Sequence, residues 1–434
     1  MMTARRLVPT LAIVLGGLPG WVALVERFFF GHGRMAPPLL HALGDTTAIL
    51  GMSLFATSLV LMVRTSWLER RCGGLDRLYR AHHLAGVLAF LILLLHPVTV
   101  GLRLLIRHGA DRALAVTLPS AVHPAELLGW IALLWLMALM IATFHARLSY
   151  VGWKWLHASA GIAFLVGVAH LLLVRRTSDW SLPLLVLWIL AGLGALVYRA
   201  LIDRSVVGGR RYVVEQVGHP AKDVAALVLR PVGRPVVAEP GQFVFAAFYD
   251  GGGYHGCGEY HPFTVASRPG ETTLRLIVKA LGDCTRRMQR IRPGAVASIQ
   301  GPFGTFQQPV RPDNPQVWIA GGIGITPFLA MAADLAPEGP PVDLYYGSLN
   351  RHEAVSLTEL ERIAAGHPRL RLFPLFAESG EMPKLERIAE QSGSLAGKEF
   401  FICGPAAMTA ALATGLRAAG ISDDAIHSER FDFR

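Results

Sequence analysis

Cysteine is scarce in this chain. The four cysteines, Cys72, Cys257, Cys284 and Cys403, lie far apart in sequence, which argues against a disulfide framework or an iron–sulfur site. No CxxCH string occurs, so covalent haem attachment is excluded. Charged residues are also few, at 17%. No Ser–His–Asp or metallohydrolase constellation stands out, so acid–base hydrolysis has no candidate residues. The formal net charge is +10, but much of it sits in arginines beside apolar runs, so it points to membrane surfaces and to no nucleic acid partner.

Apolar sequence is what abounds, and it stops near residue 201. Six spans can be drawn, at 7–25, 46–63, 84–105, 125–144, 156–174 and 182–201, each close to the thickness of a hydrocarbon core. The first follows Arg5 and Arg6 and has no small-residue cleavage site, so it reads as a retained helix. An even number of spans puts both termini on one side. The connection Arg64 to Arg80 holds five arginines, and this marks the cytoplasmic face.

Two of the spans carry histidines. His82 and His96 are 14 residues apart, and His157 and His170 are 13 apart. Fourteen residues of helix cover about 21 Å, most of a hydrocarbon core of about 30 Å. Two such helices can hold two flat cofactors stacked across the membrane, and haem with an imidazole on each side of the iron is the natural one. The bland alternative for any single histidine is a helix–helix hydrogen bond; two pairs at near-equal spacing favour ligation. At 100° per residue, 14 steps return to nearly the same face but 13 miss it by about 140°. The second helix must therefore bend, widen a turn, or offer its histidines from different angles. His83 competes with His82 for the role. Phe90 and Phe164 fall near the middle of each pair.

After residue 201 the pattern changes. Residues 202–211 read as a linker, and YVVEQV, AALVLRPV, QFVFAAF, FTVAS, LRLIVKA and VASIQG read as six strands of a small antiparallel barrel. Within it, His261-Pro262-Phe263-Thr264-Val265-Ala266-Ser267 can present donors to a flat heteroaromatic ring. Gly282 to Thr285 can offer backbone N–H groups and a hydroxyl to a pyrophosphate. The loop Gly251 to Gly258 is either a flexible cover or a hairpin tip. Next, the strand QVWIA runs into Gly321-Gly322-Ile323-Gly324-Ile325-Thr326-Pro327 and an apolar helix, the setting of a dinucleotide site. Ser348 and Arg351, after the strand VDLYYGS, suit the 2′-phosphate of NADPH or else form a solvated loop. Glu399 to Ile402 is a strand ending in Cys403-Gly404-Pro405, where a small soft side chain fits beside a nicotinamide. A terminal aromatic, Phe431 or Phe433, could cover a flavin face.

This order of motifs resembles the ferric reductase and NADPH oxidase family, most of all its bacterial members, over about residues 40 to 434. The resemblance implies three domains: an all-α six-helix transmembrane haem domain over 1–203, an antiparallel β-barrel FAD domain over 207–310, and a Rossmann-like α/β NAD(P) domain over 311–434. It implies that His82 with His157 ligates an inner b-type haem and His96 with His170 an outer one. His261 to Thr264 would hold the flavin. Gly322, Gly324 and Thr326 would meet the nucleotide phosphates, Cys403 the nicotinamide, and Phe431 would stack on the isoalloxazine. The implied cofactors are FAD, two haems and NADPH, with NADH open. The implied activity is electron transfer from cytoplasmic NAD(P)H across the bilayer, in a bacterial inner membrane. The acceptor is a small molecule, dioxygen or a ferric chelate, or else a protein partner. A non-catalytic redox sensor is the contrasting reading.

Overall fold

In a computed structural model of the chain, the helix Leu75–His108 sorts its apolar residues by size. Beyond Leu75 and Leu78, which are buried at its start, Ala81, Ala85 and Ala89 are buried, whereas Leu84, Leu91, Leu95, Val98, Leu102 and Leu105 are exposed along one stripe. Large apolar side chains outside and small ones inside are unfavourable in water. In a bilayer that arrangement lets helices approach closely while leucine meets lipid. The structure describes residues 4–29, 38–119, 123–144, 148, 150–174, 181–203, 209–251, 253–306, 311 and 313–429. The chain divides into two compact units, Met1–Arg64 with Arg71–Arg204, and Thr65–Arg70 with Ser205–Arg434.

The first unit is helical: α1 Ala4–Phe29, α2 Pro38–Leu61, α3 Ser66–Cys72 (shared with the second unit), α4 Leu75–His108, α5 Ala110–Thr117, α6 Pro124–Phe144, α7 Tyr150–Ala158, α8 Ala160–Val174 and α9 Ser181–Tyr198. Among the described residues, five segments are long and apolar enough to cross a membrane: Ala42–Leu61, Leu75–His108, Pro124–Phe144, Gly152–Val174 and Ser181–Leu201. The remaining expected span, 7–25, falls in α1, whose described apolar stretch is Thr10–Glu26. The most buried span is α2, at 61% of its apolar window against 11–22% for the others, so it is the hub of the bundle. Glycines allow this. A Cβ on Gly20 would sit 2.5 Å from Leu50 of α2, and one on Gly51 would sit 2.6 Å from Leu93 of α4.

The second unit holds two sheets. The first is antiparallel, in the order β4-β3-β6-β1-β2-β5, built from β1 Arg210–Ala221, β2 Val224–Pro231, β3 Phe243–Phe248, β4 His261–Thr264, β5 Leu274–Lys279 and β6 Val296–Phe303. It curls until its outer strands meet: Val265 bridges Leu276, and the Ala266 N–H donates to Arg275 O at 2.8 Å. The short helix α10, Asp283–Met288, follows β5. The second sheet is β11-β10-β7-β8-β9, all parallel, from β7 Gln316–Gly321, β8 Val342–Ser348, β9 Leu370–Phe376, β10 Glu399–Cys403 and β11 Ile426–Glu429. Its strands read as buried apolar runs because helices accompany them: α11 Thr326–Ala333, α12 Leu357–Gly366, α13 Leu385–Ser392 and α14 Ala406–Ala418. Trp318, Phe328, Phe401 and Phe306 pack edge and face at 5.5–5.6 Å in that core. The segment Thr65–Arg70 belongs to this unit because the buried Glu69 carboxylate accepts the Gly304 N–H at 2.7 Å.

Candidate functional site

The membrane histidines form two pairs. His82 and His157 have ring centroids 6.0 Å apart, and His96 and His170 6.3 Å apart, with near-perpendicular planes of 81° and 68°. Two metal–nitrogen bonds of about 2 Å plus two ring radii of about 1.1 Å need about 6.2 Å between centroids. The observed centroid separations are close to that distance. The 13-residue spacing is accommodated by a break at Ser159, between α7 and α8. There the Ser159 hydroxyl donates to Leu156 O at 2.6 Å and accepts the Trp135 indole N–H at 3.0 Å. His83 is exposed and meets Phe144 instead, at 6.0 Å.

Backbone carbonyls orient the rings. His82 Nδ1 lies 2.9 Å from Ser58 O, His96 Nδ1 3.0 Å from Gly44 O, and His170 Nδ1 2.6 Å from Ala125 O. A ring that donates from Nδ1 keeps its Nε2 lone pair for a metal. Ser58 and Gly44 are 14 residues apart on α2, the same spacing as His82 and His96 on α4. Sequence reading missed these carbonyls, since a backbone acceptor has no residue signature. It missed Gly129 as well, where a Cβ would sit 3.0 Å from the His170 ring. His157 stacks on Trp153 at 5.1 Å, and its Nδ1 is buried with no hydrogen-bond partner. A cavity of about 920 Å³, open mouth included, surrounds the first pair and is walled by Leu136, Met140, Leu196 and Arg199. Arg103 pairs with Asp45 at 3.7 Å, one residue from the Gly44 carbonyl that holds His96. Phe164 is fully buried, edge-on to Phe55 at 5.3 Å; Phe90 is half-buried.

In the antiparallel sheet, His261, Pro262, Phe263 and Thr264 form β4, paired along β3. Thr264 is 4% exposed, and its hydroxyl has no hydrogen-bond partner. Ala266 and Ser267 close the sheet: Ser267 Oγ accepts the Arg275 N–H at 2.7 Å and donates to Thr273 O at 3.0 Å. The Thr285 hydroxyl accepts the Leu281 and Gly282 N–H groups, both at 2.9 Å, so it caps its own turn. The glycine loop is a folded hairpin tip: Gly251 and Tyr254 bridge, and Gly258 N–H donates to Phe248 O at 3.1 Å. Cys257 and Cys284, far apart in sequence, meet beside His261, which corrects the scattered picture of the cysteines; the three ligand atoms lie within 4.8 Å of one another. Burial, with the hydrogen bond from Cys257 behind it, pushes the Cys284 thiol up to about 12. Burial likewise pushes the neighbouring Tyr254 hydroxyl up to about 12.

In the parallel sheet, two turns meet backbone to backbone. A Cβ on Gly324 would lie 2.3 Å from Cys403 O, and one on Gly321 2.8 Å from Pro405. Gly404 would strike Met408 at 2.5 Å and Gly321 at 3.0 Å. Gly322 has φ +55° and open space around it, so it serves by conformation and by admitting a ligand. Thr326 and Pro327 begin α11, with Pro in the first turn. These strand ends, with Ser348 at the end of β8 and the buried Cys403 at the end of β10, mark one edge of the sheet. Ligands of parallel α/β sheets bind at the carboxyl ends of the strands. Ser348 Oγ donates to Asn350 O at 3.0 Å, and Arg351 forms two 2.8 Å bonds with Glu361. Phe431 and Phe433 lie outside the described residues.

Three family models match in sequence along the chain: a ferric reductase like transmembrane component over residues 47–168, an FAD-binding domain over 213–318 and an oxidoreductase NAD-binding domain over 318–414. The reductase component of a naphthalene 1,2-dioxygenase system from Pseudomonas putida is 26% identical over 230 residues, 50% of this chain and 67% of that relative. Dual oxidase 2 of Rattus norvegicus is 38% identical over 89 residues, 18% of this chain and only 6% of that protein. A flavohemoglobin from Malassezia yamatoensis, solved with bound FAD and heme, aligns with a TM-score of 0.50 over 90% of this chain and 96% of its own, at 19% identity, a likeness of fold alone. A helical membrane domain joined to flavin and nicotinamide modules defines a membrane oxidoreductase. The order of these modules, a ferric reductase like transmembrane component followed by FAD-binding and NAD-binding domains, is consistent with the ferric reductase and NADPH oxidase family.

Proposed function

We propose that the protein carries electrons from NAD(P)H through FAD and two b-type haems across a membrane to dioxygen, forming superoxide. The observation that carries this reading is the pair of histidine pairs, each spaced for one iron, with His82, His96 and His170 held by backbone carbonyls. FAD, when bound, accepts two electrons together and releases them singly, and each haem takes one at a time.

The residues of the chain bind, orient and exclude water. His82 with His157 would hold the inner haem and His96 with His170 the outer one. Arg199, on the wall of the inner cavity, supplies positive charge beside a site with few other polar groups. Thr264, with an unpartnered buried hydroxyl, and the edge of β4 would orient the flavin ring. Gly322, Gly324 and Thr326 would admit the nucleotide phosphates at the start of α11. Cys403 closes the nicotinamide side with a small, fully buried side chain. NADPH is favoured by Ser348 and Arg351, although Glu361 already engages that arginine. Dioxygen is favoured over an anionic ferric chelate because Asp45 offsets the charge of Arg103 near the outer pair. The likeness to a dual oxidase supports the same choice. The nucleotide modules would face the cytoplasm of a bacterial cell, where NAD(P)H is made.

The test uses proteoliposomes with NADPH added on the nucleotide side and either dioxygen or a ferric chelate on the other. Superoxide-dependent cytochrome c reduction, lost on His96→Ala or His170→Ala, is expected. Turnover to an external acceptor that survives both substitutions would refute the relay.

A further inference from the structure

The relay makes no use of the Cys257–His261–Cys284 cluster as a cluster. Its three ligand atoms come from three elements: the hairpin loop, the first residue of β4 and the first turn of α10. Cys257 Sγ lies 4.0 Å from His261 Nε2, and all three ligand atoms are within 4.8 Å of one another. The two sulfurs pack on the rim of the domain core, half-buried, so an ion has a way in. The loop is built to bring Cys257 there. Gly256, the residue before it, lies so close to β3 that a Cβ would stand 2.1 Å from Phe248 O. Its N–H is held by Asp250 at 2.9 Å.

A second observation points to a missing partner. Tyr254, in the same loop, is 5% exposed, and its hydroxyl is buried with no hydrogen-bond partner. A buried hydroxyl without a partner is costly, and a water or thiolate on a metal would satisfy it.

We propose that Cys257, His261 and Cys284 form a zinc site. Two sulfurs and an imidazole are a soft donor set that suits Zn²⁺ and disfavours Mg²⁺ or Ca²⁺. Tetrahedral coordination needs neighbouring ligands about 3.5–3.8 Å apart, so the side chains close by about 1 Å or less. Both thiols give up their protons to solvent as the two S–Zn bonds form, and no electron is transferred. Three protein ligands leave a fourth position for water.

The test uses the full chain, haem-loaded in detergent, reduced with a phosphine and dialysed against buffered Zn²⁺. Wild type is expected to retain one more zinc per chain than Cys257→Ser or Cys284→Ser, and Cys72→Ser is expected to match wild type. Zinc-edge X-ray absorption of the wild type needs no variant, and it should show a sulfur shell near about 2.3 Å. Equal zinc retention by wild type and both serine variants, or a wild-type spectrum with nitrogen and oxygen neighbours only, would overturn the site. Flavin content measured on the same samples reports separately on the flavin reading, on which zinc retention does not depend.

Discussion

Gly324→Ala is a single-methyl change whose cost can be worked from the structure. The new Cβ would lie 2.3 Å from Cys403 O and 2.6 Å from its carbonyl carbon. Ordinary C···O contact is about 3.3 Å, so the two turns must separate by about 1 Å. Neither side is a flexible side chain: both are backbone at the ends of buried strands. Overpacking of this kind costs about 1–3 kcal/mol. If the turn is also the phosphate cradle, that energy appears in nucleotide binding as a loss of about 5- to 150-fold. Titration of NADPH by quenching of protein fluorescence, with a melting curve alongside, reads both effects. Gly366→Ala is the control, because nothing lies within 4 Å of its Cβ position. Unchanged NADPH affinity in Gly324→Ala, with unchanged melting, would refute the close packing of the two turns.

Other substitutions separate the remaining elements. Gly129→Leu drives a side chain into the His170 ring, whose atoms lie 3.0 Å from the Cβ position; haem content should fall from two per chain to one by pyridine haemochrome. His82→Ala should likewise lose one haem, whereas His83→Ala, which removes a ring facing Phe144, should keep both. His427→Ala strips the 2.7 Å partner from Glu399, which is 0% exposed. Arg311, at 4.0 Å from the other carboxylate oxygen, remains as a longer-range partner; losing the hydrogen-bonded partner of a buried group costs about 1–3 kcal/mol, so the melting temperature of the nucleotide-binding unit should fall by a few degrees, as differential scanning calorimetry would read.

The membrane half was legible because bilayer thickness limits the length of a span, and because histidine is rare enough there to stand out. Both histidine spans emerged, together with the need for a bend, a widened turn or different angles between His157 and His170. A break falls at Ser159. What fixes the rings was not legible: Ser58, Gly44 and Ala125 act through carbonyls, which every residue possesses. The first expected span, 7–25, lies within the helix α1, Ala4–Phe29. In the nucleotide half, glycine strings between a strand and a helix showed where backbone must approach a ligand. They did not show that Gly321, Gly324 and Gly404 are small for each other's sake. Thr285 illustrates a limit of residue chemistry, since its hydroxyl serves its own turn. Cys257 and Cys284 illustrate the limit of spacing: 27 residues separate them in sequence, yet the curl of one sheet brings them together beside His261.

The central claim is that reducing equivalents entering from NADPH arrive at two haems in the membrane half. Anaerobic absorption spectra of the purified protein with FAD, taken before and after NADPH, test it most directly. The account predicts reduced low-spin b-haem bands, with two haems per chain by pyridine haemochrome. Flavin bleaching with the haems left oxidised, or a preparation that binds no haem at all, would contradict it and return the four histidines to helix packing.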